Sequence, residues 1–403
     1  MVEAPETVAA MEETKAKHHS GEFLLPANPL ASYLAHKGEI DAAIAKVLNG
    51  GWYVLGKETE AFDQEFAQYL GVLDSVGVAS GTDALHLALR VVGVGPGDSV
   101  ITVSHTAVAT VAAIELAGAS PILIDVDPVT FTMDPNRLED TIKAHYPGGN
   151  PGAGRRLKAV IPVHLYGHPA DMQAIMEIAR RYEMYVIEDC AQSHGASIGG
   201  VKTGGWGNLG AFSFYPTKNL GALGDGGALA TKDQEVAERI RLLREYGWRE
   251  RYISDFPGMN SRLDEIQAAI LRVKLHYLDQ ENNRRRELAR LYDSLLSPTT
   301  LMRPEVRVDA HHVYHQYVIR SERREALRVF LKDNLVGTLI HYPLPVHLQP
   351  AYRGRILIGA GGLENTERLC REILSLPMHP QMSDEQAQRV GELILEWHRQ
   401  TPN

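Results

Sequence analysis

Strand-like and helical segments alternate regularly from Val76 onward, and this alternation constrains the fold more than any other feature of the sequence. The strand-like runs lie near residues 76–79, 98–103, 121–125, 158–164 and 184–188. The helical patterns between them lie near residues 82–92, 106–118, 135–144 and 169–183. Strands that alternate with helices at this spacing predict an α/β protein, with a mostly parallel sheet and helices on both faces.

The C-terminal part of the chain predicts a second, smaller domain. Strand-like and helical runs there lie near residues 313–320, 321–334, 337–341, 363–374 and 383–399. A helical pattern over 261–297 is too long for one ordinary helix and is predicted to bend near residue 280, where the chain leaves the sheet domain. We therefore predict a polar N-terminal tail (1–22), a large α/β domain (23–280) and a small α+β domain (281–403). The Gly- and Pro-rich stretch 147–154 is predicted to be a surface connection inside the large domain.

Composition excludes several classes of function. The formal net charge of −9 argues against nucleic-acid binding as the main role of the chain. The first twenty residues lack the apolar core of a signal peptide, and the longest apolar stretch, 107–124, is broken by charged and helix-breaking residues, so no membrane association is expected. Cys190 and Cys370 fit no metal or redox spacing, and we expect two free thiols, a cytoplasmic protein and no metal site.

Lys218 is the first candidate for chemistry. It follows a short strand-like run and precedes a Gly-rich segment, and it is the only charged side chain between Lys202 and Asp225. A lysine among aromatic residues and glycines is costly to bury in its charged form, so its pKa falls and the neutral amine can attack a carbonyl group. The alternative is a lysine whose stem lies on apolar surface with its ammonium in water. This stretch alone leaves both interpretations open.

Two further features are predicted to face the same crevice, because ligands of parallel α/β sheets bind at the carboxyl ends of the strands. The first strand ends before Ser80-Gly81-Thr82, a turn whose glycine and free N–H groups suit a phosphate, although an ordinary helix N-cap reads the same way. Another strand ends in Glu188-Asp189. One of these carboxylates should point into the crevice and the other away. It could bind a metal, act as a base or hold a protonated ring nitrogen, and the metal is the weakest of these because no ligand cluster follows.

One literal motif is discounted. Residues 205–210 match G-x-G-x-x-G, but they follow no strand and precede a strand instead of a helix. The context of a dinucleotide site is therefore missing. In contrast, a phosphate-suited turn, a strand-end carboxylate and an isolated lysine are together what pyridoxal 5′-phosphate (PLP) requires.

The sequence resembles the DegT/DnrJ/StrS family of sugar aminotransferases, a branch of the fold type I PLP enzymes, from about Pro26 to Arg399. The stretches that carry the resemblance are SGTDALHLAL (80–89), GVGPGDSVITV (93–103), VHLYGHPADM (163–172), IEDCAQSHGA (187–196), FSFYPTKNLGALGDGGALAT (212–231), NSRLDEIQAAILRVKL (260–275) and HYPLPVHLQPAY (341–352). The resemblance implies a large domain with a mostly parallel seven-stranded sheet, a smaller C-terminal domain, and a homodimer with shared active sites.

The resemblance also implies a role for each matching residue. Lys218 would hold PLP as a Schiff base and later move the proton, and Asp189 would pair with the pyridine nitrogen. The remaining cofactor contacts would be Gln192 at the ring hydroxyl and Gly81, Thr82, Ser213 and the neighbouring subunit's Asn260 at the phosphate. Tyr342 and His347 match positions near the sugar, and Arg251 is well placed in sequence to meet the nucleotide's phosphates, although a solvated basic loop is an equal alternative.

Two positions depart from the family pattern. Ala107 stands where an aromatic residue often stacks on the cofactor ring, and the nearby His105 is a weak substitute. Thr217 stands where glycine usually precedes the lysine.

Within the family, the sequence most resembles enzymes that aminate C3 of a nucleotide-linked 3-keto-6-deoxyhexose, with dTDP as the expected nucleotide and glutamate as the amino donor. A 4-keto sugar aminotransferase and a glutamine-dependent cyclitol aminotransferase are the alternatives inside the family. A sugar dehydratase of the same fold is disfavoured. Such enzymes replace the lysine with histidine, whereas Lys218 is present here, and some add an iron–sulfur cluster that needs four ligands, whereas this chain has two cysteines. A regulatory protein that retains the fold is the non-enzymatic alternative.

Overall fold

The computed structural model describes residues 22–145 and 156–400. The predicted tail up to residue 21 and the loop 147–154 lie outside the described residues. None of the described helices is both long and apolar enough to cross a membrane.

The described residues form fifteen strands. They are β1 (Asp74–Val78), β2 (Asp98–Val103), β3 (Ser120–Ile124), β4 (Arg156–Val160), β5 (Tyr185–Asp189), β6 (Ser197–Ile198), β7 (Val201–Lys202), β8 (Leu209–Ser213), β9 (Gly227–Thr231), β10 (Trp248–Glu250), β11 (Ile253–Ser254), β12 (Ala310–His311), β13 (Tyr317–Arg320), β14 (Leu357–Ile358) and β15 (Ile373–Leu376).

Twelve α-helices lie in the same part of the chain. They are α1 (Pro29–Ala35), α2 (Lys37–Gly50), α3 (Lys57–Leu70), α4 (Gly81–Val91), α5 (Val108–Leu116), α6 (Pro135–His145), α7 (Met172–Arg181), α8 (Gln234–Leu243), α9 (Glu265–Leu296), α10 (Arg324–Asp333), α11 (Glu364–Glu372) and α12 (Asp384–Gln400). Short 3₁₀ turns lie at Leu165–Gly167 and Val346–Leu348.

The main sheet is mostly parallel, as predicted. Its strand order is β1-β9-β8-β5-β4-β2-β3-β14, and β9 is antiparallel to both of its neighbours. Seven of the strands come from the N-terminal part of the chain, in agreement with the predicted seven-stranded sheet. The eighth, β14, was not predicted, because its two residues, Leu357 and Ile358, are too few to show a strand pattern.

Apolar cores cover both faces of this sheet. One core contains Ile101, Ile124 and Val160, packed with residues of α6 and α7. Another contains Val100, Ile161 and residues of α4, α5 and α8. Strand residues therefore alternate between two buried faces, which explains why the strands read as nearly continuous apolar runs.

The C-terminal part forms its own core around α10, α12 and the antiparallel pair β13–β15. Two predictions fail here. Residues 337–341 were predicted as a strand but make only a single bridge, between Leu339 and Ser375. The predicted helix over 363–374 ends at Glu372, and the chain continues as β15. Leu24, from the N-terminal end of the described chain, packs into this C-terminal core and forms an isolated β-bridge with Val336. The boundaries of the two domains stay a prediction.

Helix α9 joins the two parts of the molecule. The prediction that its pattern was too long for one ordinary helix is wrong, because residues 265–296 form a single helix of 32 residues. Leu271 and Leu278 pack with the phenylalanines beside the sheet, and Leu288 and Tyr292 pack in the C-terminal core. Tertiary packing of this kind supports a helix far beyond the average length.

Candidate active site

Lys218 lies in a closed turn after β8. The turn is closed where the N–H of Ala222 donates to the carbonyl of Phe214 (2.8 Å). The N–H of Lys218 donates to the carbonyl of Tyr215 (2.8 Å). Phe214 is fully buried and meets the ring of Phe66 edge-on, with 5.5 Å between centroids. An aromatic core therefore anchors the strand end from which the lysine is presented.

The surroundings of Lys218 favour its neutral form. Burial lowers the pKa of Lys218 to about 8, and the charge of Asp189 acts in the opposite direction. The pKa values of His194, His315 and His341 are also lowered, first by burial and next by the charge of Lys218. These three imidazoles are neutral at pH 7 and add no positive charge beside the amine. Of the two interpretations of Lys218, the activated amine fits this environment.

Asp189 lies at the carboxyl end of β5, in the crevice that the sequence predicted. Its carboxylate accepts hydrogen bonds from Thr110 Oγ1 (2.8 Å) and from the N–H of Ala191 (3.2 Å). Burial raises the pKa of Asp189, while these hydrogen bonds and the charge of Lys218 lower it. The sequence analysis did not predict Thr110 as a partner of Asp189. The Thr-x-x-x-Thr spacing of Thr106 and Thr110 was a usable signal, because their hydroxyl groups are hydrogen-bonded to each other (2.9 Å).

Gln192 and Tyr342, two of the predicted ligand contacts, are hydrogen-bonded to each other. Gln192 Nε2 donates to the Tyr342 hydroxyl (3.2 Å), and Gln192 Oε1 accepts from the N–H of Tyr166 (2.7 Å). These bonds fix which end of the amide faces which neighbour. Tyr166, in the left-handed region with φ of 59°, was not predicted to contribute.

Gly81 and Ser213 are also in contact. A Cβ atom on Gly81 would lie 2.6 Å from Ser213 Cβ, so only glycine fits at the start of α4. Ser80 caps this helix, since its Oγ accepts from the N–H of Asp83 (3.1 Å). The cap leaves the N–H groups of Gly81 and Thr82 without intrahelical acceptors, which is the arrangement that binds phosphate.

In the described part of the chain, the other predicted contacts make no hydrogen bond to Lys218, Asp189 or Gln192. Both ring nitrogens of His347 have partners, Ser104 Oγ at 2.8 Å and Glu367 Oε1 at 3.2 Å. Arg251 lies in the exposed turn between β10 and β11, with its guanidinium 4.9 Å from the ring centroid of Tyr252. Asn260 is exposed, and no hydrogen bond of its side chain is found in the described part of the chain.

The two adjacent carboxylates Glu188 and Asp189 point to different partners, as strand alternation requires. Glu188 Oε1 and Oε2 accept from the N–H groups of Gly204, Trp206 and Gly207 at 2.8–2.9 Å. The discounted G-x-G-x-x-G segment leads into β8, as predicted, and two of its N–H groups, those of Trp206 and Gly207, bind this buried carboxylate.

His164, Glu188 and Cys190 are the only described residues grouped closely enough to hold a metal ion. His164 Nε2 lies 3.0 Å from Glu188 Oε2, and His164 Nδ1 accepts from the N–H of Ala170 (3.0 Å). Hydrogen bonds within the protein thus already use both ring nitrogens of His164 and both carboxylate oxygens of Glu188.

His105, the weak substitute for the aromatic residue that is absent at Ala107, is enclosed by other side chains. His105 is 1% exposed, its Nε2 lies 2.9 Å from the Tyr166 hydroxyl, and its Nδ1 faces Cys370 Sγ. Both ring nitrogens of His105 therefore face protein atoms, and its role beside a cofactor ring stays a prediction.

These observations fit PLP. A lysine with a lowered pKa lies near a buried carboxylate, and a glycine-based helix N-terminus lies beside Ser213. The DegT/DnrJ/EryC1/StrS aminotransferase family matches residues 35–395. The chain belongs to this family. It is therefore a PLP-dependent aminotransferase, and the predicted resemblance, enzyme class and cofactor are confirmed.

Curated relatives within the family are similar over nearly their full length. The chain is 46% identical to dTDP-3-amino-3,4,6-trideoxy-α-D-glucose transaminase of Streptomyces venezuelae, over 91% of this chain and 94% of the relative. It is 44% identical to dTDP-3-amino-3,6-dideoxy-α-D-galactopyranose transaminase of Aneurinibacillus thermoaerophilus, over 90% of this chain and 96% of the relative.

A solved structure confirms the predicted fold. The crystal structure of S. venezuelae DesV in complex with a ketimine intermediate superimposes with a TM-score of 0.88 at 45% sequence identity. The match covers 94% of this chain and 99% of that chain.

Proposed function

We propose that this aminotransferase moves the amino group of glutamate to C3 of a dTDP-linked 3-keto-6-deoxyhexose, giving a 3-amino-3,6-dideoxy sugar nucleotide. The observation that carries the proposal is the full-length identity of 44–46% to two dTDP-3-amino-sugar transaminases. The cluster around Lys218 supplies the groups that such a transfer needs.

PLP, when bound, carries the amino group from the donor to the keto sugar. Lys218 would hold the cofactor and, when freed, move a proton between the cofactor and the sugar carbon; its lowered pKa suits both tasks. Asp189, buried and bonded to Thr110, would keep the pyridine nitrogen protonated. Gln192 would bond the ring hydroxyl while Tyr342 borders the sugar.

The phosphate would lie at the start of α4. Gly81 and Thr82 would donate N–H groups, and Ser213 would add its hydroxyl from the adjacent strand end. Because the dipole of one helix contributes only about 0.3–1 kcal/mol, these direct donors matter more than the helix as a whole. His347 borders the sugar in this proposal and reaches it only by exchanging its bond to Glu367 or Ser104.

The enzyme is proposed to be a homodimer whose two active sites each take Asn260 from the partner. Exposed aromatic side chains support a second copy as the partner, since Trp52 and Tyr252 are 67% and 73% exposed. Aromatic side chains are enriched at interfaces between proteins. Arg251, beside Tyr252, would then meet the diphosphate of the nucleotide.

A cytoplasmic location is proposed from the two cysteines. Cys190 and Cys370 are both free and buried, which fits a reducing compartment.

Product analysis tests the proposed reaction. The holoenzyme is incubated with glutamate and a dTDP-3-keto-6-deoxyhexose, and the aminated carbon is identified by NMR and mass spectrometry of the product. We expect an amine at C3, and a Lys218→Ala variant that loses more than the ~10²–10⁴-fold of a general acid/base, because cofactor attachment is lost too. Amination of a 4-keto sugar or an inosose in preference, or near-normal turnover of Lys218→Ala, would contradict the proposal.

A further inference from the structure

One face of helix α9 anchors the chain around Lys218. Gln267 Oε1 accepts from the N–H of Leu223 (2.9 Å), and Lys274 Nζ donates to the carbonyl of Gly221 (2.6 Å). Asn282 Oδ1 accepts from Asn219 Nδ2 (2.8 Å). The three side chains are seven and eight residues apart, a spacing that returns to one side of a helix about every two turns. Alternate residues of the segment 219–223 are therefore held by α9.

Of these three side chains, Lys274 has the largest desolvation cost, because its amine is buried. It is 5% exposed, and the neighbouring Leu271 and Leu278 on the same helix are fully buried. Burial lowers the pKa of Lys274 to about 8. No carboxylate lies within ion-pair distance of Lys274 in the described ranges 22–145 and 156–400. A leucine or methionine would fill this volume without desolvating an amine, so packing alone does not explain a lysine here.

Gly221, whose carbonyl accepts the hydrogen bond from Lys274, is closely packed against its neighbours. A Cβ atom on Gly221 would lie 2.5 Å from the carbonyl oxygen of Pro216, so Gly221 packs directly on the segment that leads into Lys218. Gly221 also precedes Ala222, whose N–H closes the turn on Phe214. A shift of Gly221 would therefore move both ends of the turn that presents Lys218.

We propose that Lys274 is a positioning residue for Lys218. Its hydrogen bond to Gly221 fixes the closed turn, so that the Lys218 amine is held where PLP binds. The bond is charge-assisted when Lys274 is protonated, which strengthens it relative to a neutral amide donor. The inference rests on the proposed role of Lys218 in holding the cofactor.

Lys274→Met tests the proposal by removing the donor while keeping the length of the side chain. We expect the apoprotein to capture PLP about 10–100-fold more slowly, because a misplacement of about 1 Å can cost 10²-fold. The pH midpoint of the Schiff-base absorbance should also move away from its wild-type value. The matched control is Lys158→Met, since Lys158 donates to the Gly93 carbonyl (3.2 Å) on another part of the sheet. Both readouts should be unchanged in that variant.

A merely structural lysine would give a different result. Lys274→Met would then lower the melting temperature while the capture rate and pH midpoint stayed within twofold and a few tenths of a unit of wild type, and that outcome would overturn the proposal. If this variant does not fold, Lys274→Gln, which retains an N–H donor, replaces it with a smaller expected loss in the same two readouts. Borohydride reduction and mass spectrometry of the wild-type holoenzyme test separately whether Lys218 holds the cofactor. If the reduced PLP adduct is not on Lys218, the proposed function is refuted, whatever the role of Lys274.

Discussion

Asp189 has two opposite effects at the residue scale. Its charge favours a proton on a pyridine nitrogen, but it also raises the pKa of Lys218 and so opposes the neutral amine. Burial of Lys218 is the larger cause and keeps the pKa at about 8 instead of the ordinary 10.5. In the proposed roles, Asp189 would be the counter-ion of the cofactor while Lys218 still has a reactive neutral fraction near neutral pH.

Capture of PLP by the apoprotein should follow the pKa of Lys218. The neutral amine is the reactive form, so the rate should rise with pH and level off above about 8, falling about tenfold per pH unit below that value. Asp189→Asn removes the charge that raises the Lys218 pKa, and we expect the midpoint to move to lower pH. Stopped-flow absorbance measures the profile. Asp309→Asn, at an exposed ion pair with Arg307, should leave the midpoint in place. A midpoint that rises in Asp189→Asn would contradict the assignment.

At the scale of elements, Glu188 determines the shape of the loop before β8. Its carboxylate collects three backbone N–H groups and faces His164, all without solvent exposure on either side chain. The loop must follow this carboxylate closely, and a Cβ atom on Gly207 would lie 2.6 Å from the carbonyl oxygen of Val186. The G-x-G-x-x-G segment 205–210 therefore packs around Glu188 and leads into β8, the strand before Lys218.

Glu188→Gln should destabilise the fold strongly. The amide replaces one acceptor oxygen with a donor, which would face N–H groups in a buried site, at a cost of about 3 kcal/mol in the free energy of unfolding. Urea denaturation measures the loss. The matched control is Glu139→Gln, because the Glu139 carboxylate is partly exposed and makes surface ion pairs with Lys143 and Arg181. That change should cost less than about 1 kcal/mol. Equal losses in the two variants would refute the role given to Glu188.

Local patterns predicted most of the large domain and singled out the residues proposed for the core of the site. Lys218, Asp189 and Gly81 are recognisable because each lies at or just after the carboxyl end of a strand, in the order that the alternating pattern defines. What the sequence did not show are contacts over long separations, such as Thr110 with Asp189 across 79 residues and Lys274 with Gly221 across 53. Strand β15 was missed for a related reason, since Ile373–Leu376 continues an apolar helical pattern and becomes a strand only by pairing with β13.

At the scale of the whole molecule, the described chain supplies a lysine, a carboxylate and a helix N-terminus, while Asn260 stays on the surface. The next residue, Ser261, is buried and bonds Asp83 (2.6 Å) and the N–H of Ala79 (3.1 Å). Asn260 therefore lies close to the start of its own α4, and in the proposed homodimer the partner would meet it there. This placement motivates a test of which chain supplies Asn260 to each site.

Mixed dimers of Lys218→Ala and Asn260→Ala subunits decide the question. If each site combines Lys218 of one chain with Asn260 of the partner, a doubly tagged heterodimer has one intact site and about half the wild-type activity. Each homodimer should be strongly impaired. If both residues of a site come from one chain, the heterodimer contains no intact site and activity stays low. Tandem affinity purification followed by the glutamate half-reaction gives the measurement.

The unbroken length of α9 also limits how this protein can change during evolution. Its 32 residues span about 48 Å. A single residue inserted between Lys274 and Asn282 would rotate the following part of the helix by about 100°. Asn282 would then no longer face Asn219 in the segment after Lys218. The residues of α9 that face solvent can therefore change freely, whereas a residue inserted or deleted between Gln267 and Asn282 would separate these three contacts from one another.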